Sequence, residues 1–155
     1  MLLLVATVPL ALTLAWLSYI DLREFRLPDV GTLALIAVGL ALNFQLDGVS
    51  GLAAAAMGSA IGFVVLWAIS AAYRYYRGRN GLGLGDAKLL AAVGAWLGPY
   101  YLAPTVFIGA ILGLICAFAL RMTGRQISTE TRIPFGPFLS ATFLLLWCFH
   151  AASLI

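Results

Sequence analysis

Charged residues are scarce in this chain: they make up 10% of its 155 residues, while hydrophobic residues make up 63%. The mean hydropathy is +1.04. Soluble globular domains carry about 25% charged residues, so the composition excludes a protein of that class. A bilayer core about 30 Å thick takes about 20 apolar residues per helix, which leaves room for several spans and no separate soluble domain. The composition predicts an all-α polytopic membrane protein with a single transmembrane domain over residues 1–155.

Cysteine is scarce as well. The chain has two cysteines, Cys116 and Cys148, and both lie within apolar stretches. Structural zinc sites usually draw on CxxC pairs, and the sequence has none. Single cysteines in apolar surroundings usually act as small apolar side chains. No metal, disulfide or cofactor is therefore expected.

The sequence also lacks a clustered basic face of the kind that binds nucleic acid, so no nucleic-acid partner is expected. The partner indicated by the composition is the lipid bilayer, and no feature of the sequence sets the oligomeric state.

Six long apolar runs predict about six transmembrane helices joined by short loops, at about residues 2–20, 30–46, 51–73, 83–98, 100–120 and 134–155. The first run lacks a basic n-region and a small-residue cleavage site, which favours a retained helix over a signal peptide.

The arginines predict the orientation of these helices. All of them fall in the first, third and fifth loops, and the second and fourth loops contain no Lys or Arg. Loops rich in Lys and Arg stay in the cytoplasm, so both termini are expected on the non-cytoplasmic side. This topology also explains the net charge of +3. The loop arginines are Arg23, Arg26, Arg74, Arg77, Arg79, Arg121, Arg125 and Arg132.

Two acids stand at the cytoplasmic ends of predicted helices. Asp21 ends the first span and Asp86 begins the fourth, so their carboxyl groups are expected at a similar depth. Ionisable groups at the edge of a helical bundle are costly and are functional candidates, usually with a partner in the same cavity. Two neighbouring carboxylates do not both ionise easily and share a proton. Such a pair suits peptide hydrolysis, in which one group takes a proton from water and the other polarises the carbonyl.

Three glycines, Gly81, Gly83 and Gly85, precede Asp86. Because they lack a Cβ, they let a substrate backbone approach the acid and let the chain bend before the helix. The same spacing also fits a flexible helix start, with Asp86 favoured near the positive end of the helix dipole. The spacing alone leaves both interpretations open.

Three segments together resemble one known family. The stretch "GLGLGDAKLLAAVGAWLG" (81–98) resembles the signature of the prepilin peptidases, the type 4 leader peptidases of the GxGD aspartic protease class. The segment "YIDLREFRLPD" (19–29) resembles the family's first-aspartate segment, and "IPFGPFLS" (133–140) resembles its last-helix motif. The three occur in the family's order. The chain resembles the compact form of the family, without the N-terminal cytoplasmic zinc domain.

The resemblance implies residue roles and a substrate. It places the family's two catalytic aspartates on Asp21 and Asp86, the GxGD glycines on Gly83 and Gly85, and the following lysine on Lys88. It implies an endopeptidase of the cytoplasmic (inner) membrane that cuts the basic leader from type IV prepilins or type II secretion pseudopilins, after a glycine and at the cytoplasmic face. Larger family members carry paired CxxC motifs and also N-methylate the new terminus. Methyl transfer is not expected of this chain, because no such motif is present.

Other polar residues near the two acids have more than one interpretation. Asp29 stands where a helix N-cap belongs, and it is also placed to contact substrate. Glu24 is either a solvated loop acid or a contact for the basic residues of the leader. Lys88 either extends to the interface or tunes the two aspartates electrostatically, and the resemblance favours the second interpretation.

Two other classes of protein remain as alternatives. A presenilin-like or signal-peptide-peptidase-like protease also uses GxGD, but its first acid usually follows Tyr directly and its last motif reads Pro-Ala-Leu, unlike "YID" and "PFG" here. A non-enzymatic proton relay or small transporter bundle explains buried acids, but it does not explain the glycines or the three-segment match.

Overall fold

The computed structural model describes residues 2–77, 83–122 and 134–153. Within these ranges the chain is helical and contains no strand, which confirms the all-α prediction. A 3-10 turn at Pro99–Tyr101 lies between the third and fourth helices. The helices are α1 (Leu2–Glu24), α2 (Asp29–Arg77), α3 (Leu84–Leu97), α4 (Leu102–Met122) and α5 (Gly136–Ser153).

The long helix α2 is broken at Gly48, where φ is 62° and ψ is −138°. Residues with a Cβ rarely adopt this conformation, and glycine adopts it readily. A Cβ on Gly51 would overlap the carbonyl oxygen of Asn43, eight positions earlier, so the chain turns back on itself here. The two arms of α2, residues 29–47 and 49–77, correspond to the second and third predicted apolar runs.

The second arm of α2 packs closely against α3. A Cβ on Gly58 would lie 2.6 Å from the carbonyl oxygen of Gly94, and a Cβ on Gly62 would lie 2.7 Å from that of Leu90. As the arm advances from 58 to 62, its contacts on α3 move back from 94 to 90. The second arm therefore runs antiparallel to α3.

The first arm of α2 runs the other way. Its first residue, Asp29, pairs with Lys88 near the start of α3. Farther along the arm, the side-chain amide of Asn43 donates a 2.9 Å hydrogen bond to the carbonyl oxygen of Ala95. The first arm is therefore parallel to α3, and the two arms form an antiparallel helical hairpin.

Helix α3 is the centre of the bundle. From Asp86 to Leu97 every residue but Lys88 is buried. Trp96 donates its indole N–H to the Leu35 carbonyl oxygen at 2.7 Å and packs edge-to-face against Trp147 of α5. The charged residues of this helix, Asp86 and Lys88, are both in its first two turns, and the helix beyond Lys88 is apolar and buried.

Among the described residues, four helical segments are long and apolar enough to cross a membrane, which supports a polytopic membrane protein. They are Val5–Glu24, Asp29–Tyr76, Pro99–Met122 and Gly136–Ser153. Helix α3 has 14 residues, and the whole of α2 forms one of the four segments. The prediction of six separate crossings, with both termini outside, stays a prediction. Several residues used in it or in the motifs lie outside the described ranges: Arg79, Gly81, Arg125, Arg132 and Ile133.

Candidate active site

Asp21 lies in the last turn of α1, which extends to Glu24. The helix ends because Phe25 adopts a positive φ of 52°. The backbone N–H of Phe25 still donates to the carbonyl oxygen of Asp21 at 3.0 Å, so the backbone around the acid stays helical. Only 6% of Asp21 is exposed. The carboxyl group is thus fixed at the end of a membrane helix and turned into the protein.

Asp86 lies in the first turn of α3 and is 9% exposed. Gly83 caps this helix in an extended conformation, and its carbonyl oxygen accepts the Asp86 backbone N–H at 3.2 Å. The carboxyl groups of Asp86 and Asp21 lie at the same end of the bundle, within range of a Coulombic interaction. The structure therefore brings together the two acids that the sequence placed at the same depth.

The start of α5 completes the site. The backbone N–H of Gly136 donates a 3.1 Å hydrogen bond to Oδ2 of Asp21. A Cβ at Gly136 would lie 2.6 Å from the same oxygen, so only glycine fits here without a shift. The resemblance around Gly136 indicates only a last-helix motif, so the contact with Asp21 was not predicted from the sequence. One feature of the sequence is consistent with this contact. Gly136 lies between Pro134 and Pro137 at the start of a helix, where a backbone N–H has no partner within the helix.

The two GxGD glycines have different surroundings. A Cβ on Gly83 would stand 3.4 Å from Oδ2 of Asp86 and would touch little else, so this glycine keeps one side of the acid open. A Cβ on Gly85 would lie 2.8 Å from the Cβ of Leu27. The space beside Gly85 is thus filled by the chain between α1 and α2, whereas the sequence interpretation reserved it for substrate.

Three further charged residues, Glu24, Asp29 and Lys88, lie on the helix ends at this end of the bundle. Nζ of Lys88 lies 2.5 Å from Oδ1 of Asp29, the first residue of α2. Lys88 therefore has a carboxylate partner other than the two candidate catalytic acids. Glu24 is exposed at the end of α1, on the turn that leads away from Asp21.

Metal-binding side chains do not gather in the part of the chain that the structure describes: no three residues among His, Cys, Asp and Glu are placed to hold an ion. Cys116 and Cys148 are both free thiols. His150 accepts or donates a 3.1 Å hydrogen bond with the hydroxyl of Tyr101, beyond the C-terminal end of α3 and away from the acids.

The fold and the site define a class: a helical membrane protein in which a buried carboxyl pair is held between the ends of three helices. Residues 8–118 match the model of the type IV leader peptidase family. The chain belongs to the type IV leader peptidase family.

Curated relatives agree with this assignment. The chain is 39% identical over 143 residues to a prepilin leader peptidase/N-methyltransferase of Aeromonas salmonicida (strain A449), covering 88% of this chain and 48% of the relative. It is 41% identical over 125 residues to a protein of the same name from Burkholderia pseudomallei (strain K96243), covering 81% and 40%. It is 38% identical over 127 residues to the protein of that name from Neisseria gonorrhoeae, and the match covers 81% of this chain and 42% of the relative. The chain thus spans about half or less of these relatives. No solved structure matches the chain significantly.

Proposed function

We propose that the chain is a membrane-embedded aspartic endopeptidase that removes the basic leader from type IV prepilins or type II secretion pseudopilins. The observation that carries the proposal is the buried pair of Asp21 and Asp86, with Gly136 bonded to the first acid. This pair lies within the part of the chain that matches the family. A proton relay would also use two acids, but the family match favours peptide cleavage over that alternative and over a presenilin-like protease.

The chemistry follows from a pair of carboxyl groups that holds one proton. The ionised carboxylate accepts a proton from a water molecule, and the water oxygen attacks the scissile carbonyl carbon. The protonated carboxyl group donates a hydrogen bond to the carbonyl oxygen, which gains negative charge in the transition state. When the tetrahedral intermediate breaks down, a carboxyl group passes a proton to the leaving amine. The pair ends with the one proton it began with.

Membrane placement belongs to the same proposal. The two antiparallel arms of α2 count as separate crossings, and α3 crosses within the bundle, which gives six spans. Arg23 and Arg74 lie toward the end that holds the carboxyl pair, and loop arginines stay on the cytoplasmic side. The site then faces the cytoplasm in the inner membrane, where a basic leader reaches it, and both termini lie outside.

Substrate contacts follow from the surroundings of the pair. Gly83 leaves the approach to Asp86 open, so a peptide backbone has access to the acid from that side. Glu24 is exposed beside the turn after Asp21, where its carboxylate attracts basic residues of the leader. Gly85 supports the site by admitting Leu27 rather than by touching substrate.

The test uses purified protein in liposomes with a prepilin, a pseudopilin and an unrelated signal peptide, and mass spectrometry of the products. Cleavage of the pilin-type substrates after a glycine, absent in Asp86→Asn, supports the proposal. Cleavage of the signal peptide within its apolar segment would support a presenilin-like protease. Proton flux without any cleavage would support the relay.

The expectation of peptidase activity without methyl transfer is part of the proposal and needs its own measurement, because the relatives' name covers both activities. Processed pilin is incubated with the 155-residue chain and S-adenosylmethionine, and its new terminus is weighed. An added methyl group would contradict the expectation.

A further inference from the structure

The ion pair between Lys88 and Asp29 joins parts of the chain that are 59 positions apart. Asp29 is the first residue of α2, and Lys88 lies in the second turn of α3. The Asp29 side chain is 62% exposed and that of Lys88 is 26% exposed. Exposed ion pairs add little to folding stability, so stability gives a poor account of this one.

A second contact ties the same two segments together. Leu27 packs against Gly85 at a distance that leaves no room for a Cβ. Leu27 and Asp29 thus contact Gly85, one position before Asp86, and Lys88, two positions after it. Lys88 follows Asp86 by two positions, which is about 200° around a helix. The ion pair therefore holds the face of α3 that lies opposite the acid.

The position of the Lys88–Asp29 pair affects the two acids because of the helices that α3 packs against. This helix packs chiefly on α2, and its contacts with α1 are few. Asp21, however, belongs to α1 and is fixed from α5 by the Gly136 N–H. Two links therefore join the acids: α5, which packs on both α1 and α3, and the short turn from α1 into α2, which ends at Asp29. The Lys88–Asp29 pair fixes the start of α3 to that turn.

We propose that Lys88 and Asp29 are positioning residues that set the carboxyl group of Asp86 against that of Asp21. The proposal rests on the proposed function. It differs from the interpretations of the sequence, in which Lys88 acts on the acids through its charge and Asp29 touches the leader or caps a helix. A catalytic group misplaced by about 1 Å costs about 100-fold in rate, so loss of the pair lowers turnover.

The kinetic test compares Lys88→Met, Asp29→Asn, the double variant Lys88→Met/Asp29→Asn and the exchange Lys88→Asp/Asp29→Lys. Each single variant lowers kcat at least about tenfold and leaves KM for prepilin within about twofold, because positioning acts on the reacting groups. The double variant is no slower than the slower single variant, since one interaction is lost only once. The exchange restores kcat to within about threefold of wild type. Asp47→Asn, at the far end of the first arm, is the control and keeps wild-type kinetics.

Three results would overturn the proposal. A raised KM with unchanged kcat in Asp29→Asn would make that residue a leader contact. Losses that multiply in the double variant would mean that the two residues act separately. An exchange variant as slow as the single variants would mean that the identity of each residue matters, and not the bond between them.

A measurement without catalysis separates this proposal from the proposed function. Asp21→Cys and Asp86→Cys are introduced together after Cys116 and Cys148 are replaced by alanine, and the rate of disulfide formation is followed under mild oxidation. Lys88→Met slows the cross-link at least about fivefold, and the Lys88→Asp/Asp29→Lys exchange restores it. An equal rate with and without Lys88→Met would refute the positioning role, whatever the chain proves to cleave. Absence of prepilin cleavage by the wild type would refute the function alone.

Discussion

The backbone N–H of Gly136 donates a hydrogen bond to Oδ2 of Asp21 across 115 positions of sequence, at 3.1 Å. A hydrogen bond from a backbone amide to a carboxylate is stronger than one between neutral groups. Helix α5 thereby orients one acid of the pair and satisfies one of its oxygens inside the protein. A side chain at this position would displace the carboxyl group, because a Cβ on Gly136 would lie 2.6 Å from Oδ2 of Asp21.

Gly136→Ala is expected to reduce prepilin cleavage at least about tenfold, because the added Cβ would lie 2.6 Å from Oδ2 of Asp21 and displace the carboxyl group. The rate is measured by mass spectrometry of the released leader. Gly109→Ala on α4 is the matched control, since a Cβ there would make an ordinary 3.6 Å contact with Leu139. Equal rates in the two variants would show that the approach of Gly136 to Asp21 has no role in the reaction.

Asp21→Asn and Asp86→Asn are each expected to lower cleavage by at least about 100-fold, because an amide keeps the shape of the carboxyl group and does not exchange its proton. Thermal unfolding in detergent checks that both variants stay folded. Asp47→Asn removes an exposed acid beside the Gly48 turn and is expected to cleave at the wild-type rate. A near-normal rate in either of the first two variants would remove that residue from the catalytic pair.

The sequence predicts the helices and the positions of the two acids, but it does not predict the contacts that hold them. Hydropathy is a local property, so each apolar run has a helical counterpart, and the arginine pattern predicts that Asp21 and Asp86 lie at the same end of the bundle. The bond from Gly136 depends on how α5 approaches α1, which no local pattern encodes. The partner of Lys88 also depends on tertiary packing. The sequence alone does not show whether Lys88 pairs with Asp21, Asp86 or Asp29. Only the packed bundle selects Asp29.

Gly94→Ala is expected to destabilise the protein by about 1–3 kcal/mol, the usual cost of forcing an extra carbon into a packed interior. A Cβ at this position would overlap the backbone carbonyl group of Gly58, and neither backbone moves without shifting its helix. The midpoint of thermal unfolding in detergent reports the change. Gly113→Ala is the control, because its Cβ would meet Phe138 at 3.6 Å. Identical unfolding midpoints for the two variants would show that the α2–α3 contact tolerates a side chain.

The last prediction concerns the membrane topology of α2. Its arms reverse at Gly48, so Val49 and Tyr75, which are 76% and 85% exposed, lie at opposite ends of the second arm. After Cys116 and Cys148 are replaced by alanine, Val49→Cys and Tyr75→Cys are labelled separately with a membrane-impermeant maleimide. In right-side-out vesicles we expect Val49→Cys to react and Tyr75→Cys to be protected, and in inverted vesicles the reverse, because the arginine-bearing loop after the second arm stays in the cytoplasm. Leu12→Cys, at an exposed position in the apolar middle of α1, controls for leakage and is expected to stay unlabelled in both. Labelling of Val49→Cys and Tyr75→Cys from the same side would mean that the second arm does not cross the bilayer, and would remove the basis for counting six spans.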